Sequence, residues 1–500
     1  MNTTYIENVY DLMAVLCCHI SAFDPKSKMH LYRQFYANPE SAKLEVEKHF
    51  SFLDRRTCNE LYQYDFLLPE QVDQISQAIT KWSSSETDKI LLLSLLIYLD
   101  TYVDFESSID KFMLHAHSPL DGVYSFMSLN ANTESVNGML LPRFEPSWKK
   151  SSDRRRSGLT EDPLSAMQHY FWVPKIPDWN ISNMFSPDWT HHEAKPYTIV
   201  CSPLINTPTF THEIKNVNGT YYFYIASYLP KEGNLLLDRI KKVLTLAGNA
   251  GANIVLFPEI LASPSCQIEC QNHIHTHWDS QFPRIICLPT SEFKDNDSTW
   301  KNQLKIINDS GACITTYNKQ QAFQLDMAHP SASAGPHKAT QKIKAFEPIE
   351  ADHHLTIIHV KGLGRIGILI CADLFNPDIR EILFHHYEVR LLLVMAYTPG
   401  HDTFFRELSA AQATYCDVVW CNSCAAYNST QASLPAVAYF SYGHNKRSEK
   451  LVPRCQNKVL CDGCAITITI GSEYGTAGSV FYEKLPTENI NSEGGPTDDT

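Results

Sequence analysis

At 500 residues, 44% hydrophobic and 19% charged, the chain has the make-up of an ordinary globular protein and the length for two or three domains with cores of their own. A formal net charge of -13 excludes the basic footprint of a general nucleic-acid or membrane-surface binder, so neither partner is expected. Fifteen cysteines without the spacing of a small disulfide framework, behind an N-terminus that does not read as a secretory leader, point to a reducing, cytoplasmic compartment.

Residues 1–127 carry helical spacings, such as Ala42, Val46, Phe50 and Leu53, then Val72, Ile75, Ile79 and Trp82, and read as an α-helical N-terminal domain of unknown role. Its most apolar run, Ile90 to Leu99, is bounded by Lys89 and Asp100 and falls far short of the ~20 residues of a membrane span, so it reads as a buried helix. Cys17 and Cys18 sit in the apolar segment Leu12 to Ile20 and read as packed core. Residues 128–218 are rich in Pro, Ser, Asn and Trp without sustained periodicity, which predicts an irregular connecting segment. The one basic cluster, Trp148 to Arg156, falls inside it and reads as a solvated loop.

From Tyr221 the texture alternates. Tyr221 to Ala226 reads as a strand, Leu236, Ile240, Val243 and Ala247 as the inner face of a helix, and Ala252 to Phe257 as a second buried strand. That strand runs out through Phe257 and Pro258 to Glu259, a carboxylate at the strand edge where α/β proteins place their ligands. Leu304 to Tyr317 is a hairpin turning on Asn308, Asp309, Ser310 and Gly311, and it delivers Lys319. A second hairpin, Leu355 to Val360 and Arg365 to Ile370, ends on Cys371. The helix Ile379 to Tyr387, the strand Leu391 to Ala396, the helix Thr403 to Tyr415 and the strand Val418 to Cys421 follow, and residues 483–500 read as a disordered acidic tail.

Each of these three side chains has a plain structural account: Glu259 as a capping or surface acid, Lys319 as a turn residue, Cys371 as a small core hydrophobe. Cys371 also stands just upstream of a helix start, a position that lowers a thiol's pKa. Together, the segments Ala250 to Glu259, Asn302 to Lys319 and Gly367 to Leu374, then Arg380 and the strand Leu391 to Ala396, resemble in order and spacing the signatures of the nitrilase superfamily of carbon-nitrogen hydrolases.

The resemblance implies an α/β domain over residues 219–482, a four-layer αββα sandwich preceded by the helical domain. It implies a catalytic triad of Glu259 as general base, Lys319 as stabiliser of developing charge and Cys371 as nucleophile, with the backbone N–H of Ala372 as a second donor to the oxyanion. Asp373, Tyr397 and Asn422 are the substrate-pocket candidates. The expected reaction cleaves a small amide, ureide or nitrile through a thioester or thioimidate, without a cofactor. Two alternatives stand beside it: an inactive nitrilase-like scaffold or ligand-binding module, and an amine acyltransferase using the same thioester. A homodimer or higher homo-oligomer is implied, and the placement of the helical domain suits docking of a protein partner.

Many relatives carry a second glutamate soon after the lysine, whereas Gln320 to Lys338 offers only Asp326, with Glu347 and Glu350 much further on. That departure, with Ala410-Ala411 and Ala413-Thr414 where relatives carry an Arg-Ala and a Glu-Asn pair in the helix before Asn422, motivates the scaffold alternative. Cys421 and Cys424 with Cys461 and Cys464 have the pair spacing of a thiolate zinc site, but their separation exceeds that of compact zinc ribbons, so no metal is expected.

Overall fold

The computed structural model describes residues 6, 9–50, 52, 69–85, 87–102, 124–126, 136–143, 162–186, 197–277, 281–294, 300–328, 342–360, 363–400, 402–414, 416–426, 436–441, 448–451, 463–470 and 480–485. The basic cluster Trp148 to Arg156, the tail from 486 onward and Cys461 lie outside them.

Five helices open the chain: α1 (Val9–Ser21), α2 (Pro25–Ala37), α3 (Pro39–His49), α4 (Pro69–Ser84) and α5 (Lys89–Tyr102). Asp24 and Asn38 cap α2 and α3 by accepting backbone N–H groups of the first turn, each with a proline at the first helical position. On α5, Leu92, Leu93, Leu95, Leu96 and Leu99 are all buried, because this helix packs against the other four. Asp100 at its end is buried too, and accepts the backbone N–H groups of Gln168 (2.5 Å), His169 (3.2 Å) and Tyr170 (3.1 Å). It thereby ties the helices to a strand pair, β2 (Gly138–Pro142) with β3 (Tyr170–Pro174), through which their apolar core runs on into the sheets.

The first sheet has the order β1 (Tyr124–Phe126), β4 (Asn180–Ser186), β15 (His354–Val360), β16 (Gly364–Ile370), β17 (Leu391–Ala396), β18 (Asp417–Asn422), β19 (Ala438–Ser441) and β20 (Ser448–Leu451). Strands β16, β17 and β18 run parallel, which aims their carboxyl ends the same way. The second sheet has the order β10 (Ser291–Lys294), β11 (Trp300–Ile307), β9 (Ile285–Cys287), β8 (Ile254–Leu256), β5 (Tyr197–Cys201), β21 (Cys464–Ile470) and β22 (Val480–Lys484), with β12 (Cys313–Asn318) paired to β11. A third, four-stranded sheet orders β13 (Gln324–Ala328), β14 (Lys342–Phe346), β7 (Thr220–Tyr228) and β6 (Phe210–Val217).

Strand alternation sorts the second sheet's side chains. Ile199, Cys201, Ile254, Leu256, Ile285 and Cys287 share one apolar cluster with the first sheet. Val200, Val255 and Ile286 join the opposite cluster with α6 (Pro230–Asn249) and α7 (Pro264–Thr276). On the first sheet, α9 (Asp402–Ala413) packs on β18 and β19. The short α8 (Pro377–Glu381) and the π-helical turn Ile382–His386 bring Leu383 to 3.3 Å from where a Cβ of Gly367 would stand. The chain is thus mixed α/β, and among the described residues no helix is long and apolar enough to cross a membrane.

Several boundaries differ from the sequence expectation. Strands β4 and β5 lie inside 128–218, and β5 is central to the second sheet, so the sheet-forming chain starts well before residue 219. A five-residue run in Pro- and Asn-rich surroundings carries too little periodicity to show itself. The parallel partners of β8 are β5 and β9, not β7, which instead pairs with β6 and β14 in the third sheet. Residues 124–126 form a strand, not part of a helical domain, and β22 carries ordered pairing past 483, with Lys484 opposite Cys464.

Gly248 lies buried in the last turns of α6, where an added Cβ would overlap the backbone carbonyl of Gln281. Gly248→Ala, favourable by about 1 kcal/mol on helix propensity alone, is therefore expected to destabilise the fold by about 1–3 kcal/mol. Denaturant unfolding checks this as a lowered midpoint with unchanged slope.

Candidate active site

Four strand ends converge. Glu259 follows β8 by way of Phe257 and Pro258, Lys319 follows β12 directly, Glu347 follows β14, and Cys371 follows β16. Glu259, Lys319 and Glu347 are each 2% exposed and Cys371 is 1% exposed, so every charge here must find its partner inside the protein.

It does. Lys319 Nζ donates to Glu259 Oε1 at 2.6 Å and to Glu347 Oε2 at 2.5 Å. The Asn302 amide nitrogen bridges the same carboxylates, 2.9 Å from Glu259 Oε1 and 3.0 Å from Glu347 Oε1. The backbone N–H of Tyr397 donates to Glu259 Oε2 (3.1 Å), and that of Phe323 to Glu347 Oε2 (3.1 Å). The Cys371 side chain lies within electrostatic reach of the same Glu259.

Burial raises the pKa of Glu259; Lys319 opposes that rise and Glu347 adds to it. Burial alone would pull Lys319 down, but Glu259 and Glu347 raise it well above the usual lysine value, so it stays an ammonium. Burial, followed by the Glu259 charge, pushes the Cys371 thiol well up, with Lys319 acting against both. The protonated thiol is therefore the favoured form, and the lowered pKa expected from a helix start does not arise. The chain after Cys371 forms only a 3-10 turn, Cys371–Phe375, with helical α8 starting at Pro377.

Cys371 itself has φ of 49°, in the left-handed region, a conformation that costs a non-glycine residue about 1–2 kcal/mol. Asp373 holds that turn. It is fully buried; its Oδ2 accepts Ile370 N–H (3.1 Å) and the Tyr317 hydroxyl (2.8 Å), while its Oδ1 accepts Gln320 N–H (2.8 Å) and Gln321 N–H (2.7 Å). The turn bearing the thiol is thereby tied to the segment that follows Lys319. Burial lifts the Asp373 carboxyl to about 7 against the pull of Lys319 and these donors.

Among the sequence candidates, Glu259, Lys319 and Cys371 meet, with Ala372 buried in the same turn. Asp373 is a brace beneath the site. Tyr397 contributes its backbone N–H to Glu259, while its hydroxyl donates to the Ala425 carbonyl (3.0 Å). Asn422 is buried and grips both backbone groups of Thr398, at 3.0 and 2.9 Å, so it holds the loop carrying Tyr397.

Cys421 donates to the Ser202 carbonyl between the sheets (3.6 Å), Cys424 is half-buried and Cys464 starts β21. Among the described residues no group of three or more His, Cys, Asp or Glu side chains is placed to hold a metal ion.

Glu347 is the residue that the spacing concealed. The expectation that no second glutamate attends the lysine is corrected: the β13–β14 excursion lies between Lys319 and Glu347 in sequence, and antiparallel pairing brings the chain back. A strand running into Phe346 and an acid was the available signal, the same pattern that marked Glu259. Asn302 opened one of the family-like segments but had no visible role until its partners were placed.

No family model and no curated protein matches the chain. Among solved structures it is similar to a variant of the amidase from Nesterenkonia AN1, of the nitrilase superfamily, at 12% identity and a TM-score of 0.37, over 56% of this chain and 92% of that one. It is also similar to the NitFhit protein of C. elegans, at 16% identity and a TM-score of 0.35, over 56% of this chain and 61% of that one. The glutamine-dependent NAD+ synthetase of Acinetobacter baumannii gives 11% identity and a TM-score of 0.36 over 55% of this chain, which spans 45% of the synthetase.

Asp373→Asn would set an amide donor against N–H or O–H donors on one side of the turn, an unsatisfied contact worth about 1–3 kcal/mol. The variant should melt lower than wild type in a thermal scan and lose fast Cys371 alkylation along with it.

Proposed function

We propose that the chain is a carbon-nitrogen hydrolase of the nitrilase kind, acting on a small amide, ureide or nitrile, with Glu259, Lys319 and Cys371 as its catalytic residues. The helix, sheet, sheet and helix contacts described above support the four-layer αββα arrangement for this part of the chain. The observation that carries the function is the buried Lys319 ammonium bridging Glu259 and Glu347, with the buried Cys371 thiol within electrostatic reach of the same pair.

For an amide, Glu259 takes the thiol proton as Cys371 Sγ attacks the carbonyl carbon, and the carbonyl π electrons move onto oxygen. An ammonium has three N–H donors; two of those of Lys319 are engaged by Glu259 and Glu347, which leaves the third for that oxyanion beside the N–H of Ala372. Glu259 returns its proton to the leaving nitrogen, the C–N bond breaks, and a thioester remains. Water, deprotonated by Glu259, then attacks the thioester; the carboxylic acid leaves and the thiol is restored.

Glu347 neutralises no step. It holds Lys319 in place and keeps it charged when Glu259 is protonated. Its presence supports an active site over an inactive scaffold, since the position thought empty is filled from further along the chain.

Intact-mass labelling with iodoacetamide at neutral pH should show one thiol outpacing the others, absent in Cys371→Ala and slowed about 10²-fold in Glu259→Gln. With fifteen cysteines, only the difference between proteins is informative. Because Glu259 sits above the ordinary carboxylate range, ammonia release from a cleaved small amide should rise with pH along a limb displaced upward from that range. A Cys371 no faster than the average thiol would overturn the proposal.

A further inference from the structure

Outside the groups used so far, one buried acid stands unexplained. Glu292 on β10 is 2% exposed; its Oε1 accepts the Ile225 N–H at 3.0 Å, and its Oε2 has no hydrogen-bond partner among the described residues. Strand β10 pairs antiparallel with β11, and the residue directly opposite Glu292 is Asn302. Directly opposed side chains lie on one face of a sheet, with Cβ atoms about 4.5–5.5 Å apart.

Asn302, fully buried, has spent its amide nitrogen on Glu259 and Glu347, while its Oδ1 likewise has no partner among the described residues. Turning the amide over would point that oxygen at two carboxylates, so its orientation is set. Two orphaned oxygen atoms thus belong to neighbouring side chains, and a single proton between them satisfies both.

We propose that Glu292 is held as the neutral acid, with its Oε2–H donated to Asn302 Oδ1, and that it acts as a positioning residue orienting the amide that bridges Glu259 and Glu347. This rests on the reading of the site as a cysteine hydrolase, because it assigns the purpose of that bridge. Burial, with the charge of Glu347 behind it, lifts the carboxyl to about 8, against the Ile225 N–H and Lys319. Glu259 after β8, Glu347 after β14 and Lys319 after β12 are the charged groups acting on it. From β7, Tyr228 accepts its backbone N–H at 2.9 Å, and Tyr224 lies within its electrostatic reach. Loss of the proton removes the donor to Asn302 and adds a third carboxylate charge beside one ammonium, so the site should fail on the alkaline side.

The test compares Glu292→Gln, whose amide can accept from Ile225 and donate to Asn302, with Glu292→Leu, which can do neither. The readouts are Cys371 alkylation by iodoacetamide and the infrared carbonyl band of a neutral carboxylic acid. Glu292→Gln should keep the alkylation rate within about 3-fold of wild type and Glu292→Leu should lose about 10-fold or more, the difference being one hydrogen bond to a charged network. The ratio of wild type to Glu292→Gln should fall as pH passes about 8, and a neutral-acid band present in wild type but absent from Glu292→Gln should vanish over the same interval.

With a reactive wild-type Cys371, equal rates for the two variants overturn the proposal, and so, in any case, does the absence of such a band from the wild-type minus variant spectrum. The band does not depend on activity: a band with an inert Cys371 would leave the Glu292 assignment standing and sink the hydrolase reading. A reactive Cys371 without the band would do the reverse.

Discussion

A lysine ammonium held between two carboxylates, all three out of contact with bulk water, is the constraint on which the rest of the structure depends. Desolvating such charges costs several kcal/mol each, and the arrangement persists only if every donor and acceptor is met. Lys319 reaches Glu259 and Glu347 at 2.6 and 2.5 Å, Asn302 spans the same pair, and the backbone N–H groups of Tyr397 and Phe323 complete the carboxylates. These groups come from ends of strands in all three large sheets. The sheets must therefore pack in one relative position for the charges to be matched, and the matched charges in turn hold the sheet ends together.

The same burial sets the chemistry. In a water-exposed cleft a thiol beside a lysine would ionise easily; here desolvation and the Glu259 charge keep the proton on Cys371. The thiol thus rests protonated within reach of that carboxylate. The left-handed turn at Cys371 stores strain that a short polypeptide could not keep, and Asp373 holds it with four hydrogen bonds reaching back to the strand and across to the Lys319 segment. The strained turn and its tie to the Lys319 segment are thus both held by one buried acid.

The helical N-terminal region is joined to this core and does not merely precede it. Asp100, near the end of the helix that packs against the other four, binds three consecutive backbone N–H groups at the start of β3, and Phe171 on that strand packs edge-on to Tyr387, next to the π-helical turn that covers β16. Apolar contact runs from the helices to the strand that delivers Cys371 without a break.

By itself, the sequence determined the elements whose signals are local: the β11–β12 and β15–β16 hairpins with their turns, the strand Leu391–Ala396, the all-apolar face of α5, and the three strand-end residues Glu259, Lys319 and Cys371. Each is written in a few adjacent residues, as turn chemistry, alternation or a strand running into an acid, a base or a thiol. Tertiary structure alone decided that β5, not β7, completes the sheet beside β8, that Glu347 closes the site across the β13–β14 excursion, and that Asp373 braces where it was expected to line a pocket. It also decided that Cys371 keeps its proton. Strand pairing between distant segments and the desolvation of a charge depend on which surfaces exclude water together, and that is a property of the packed chain and of no single stretch of it.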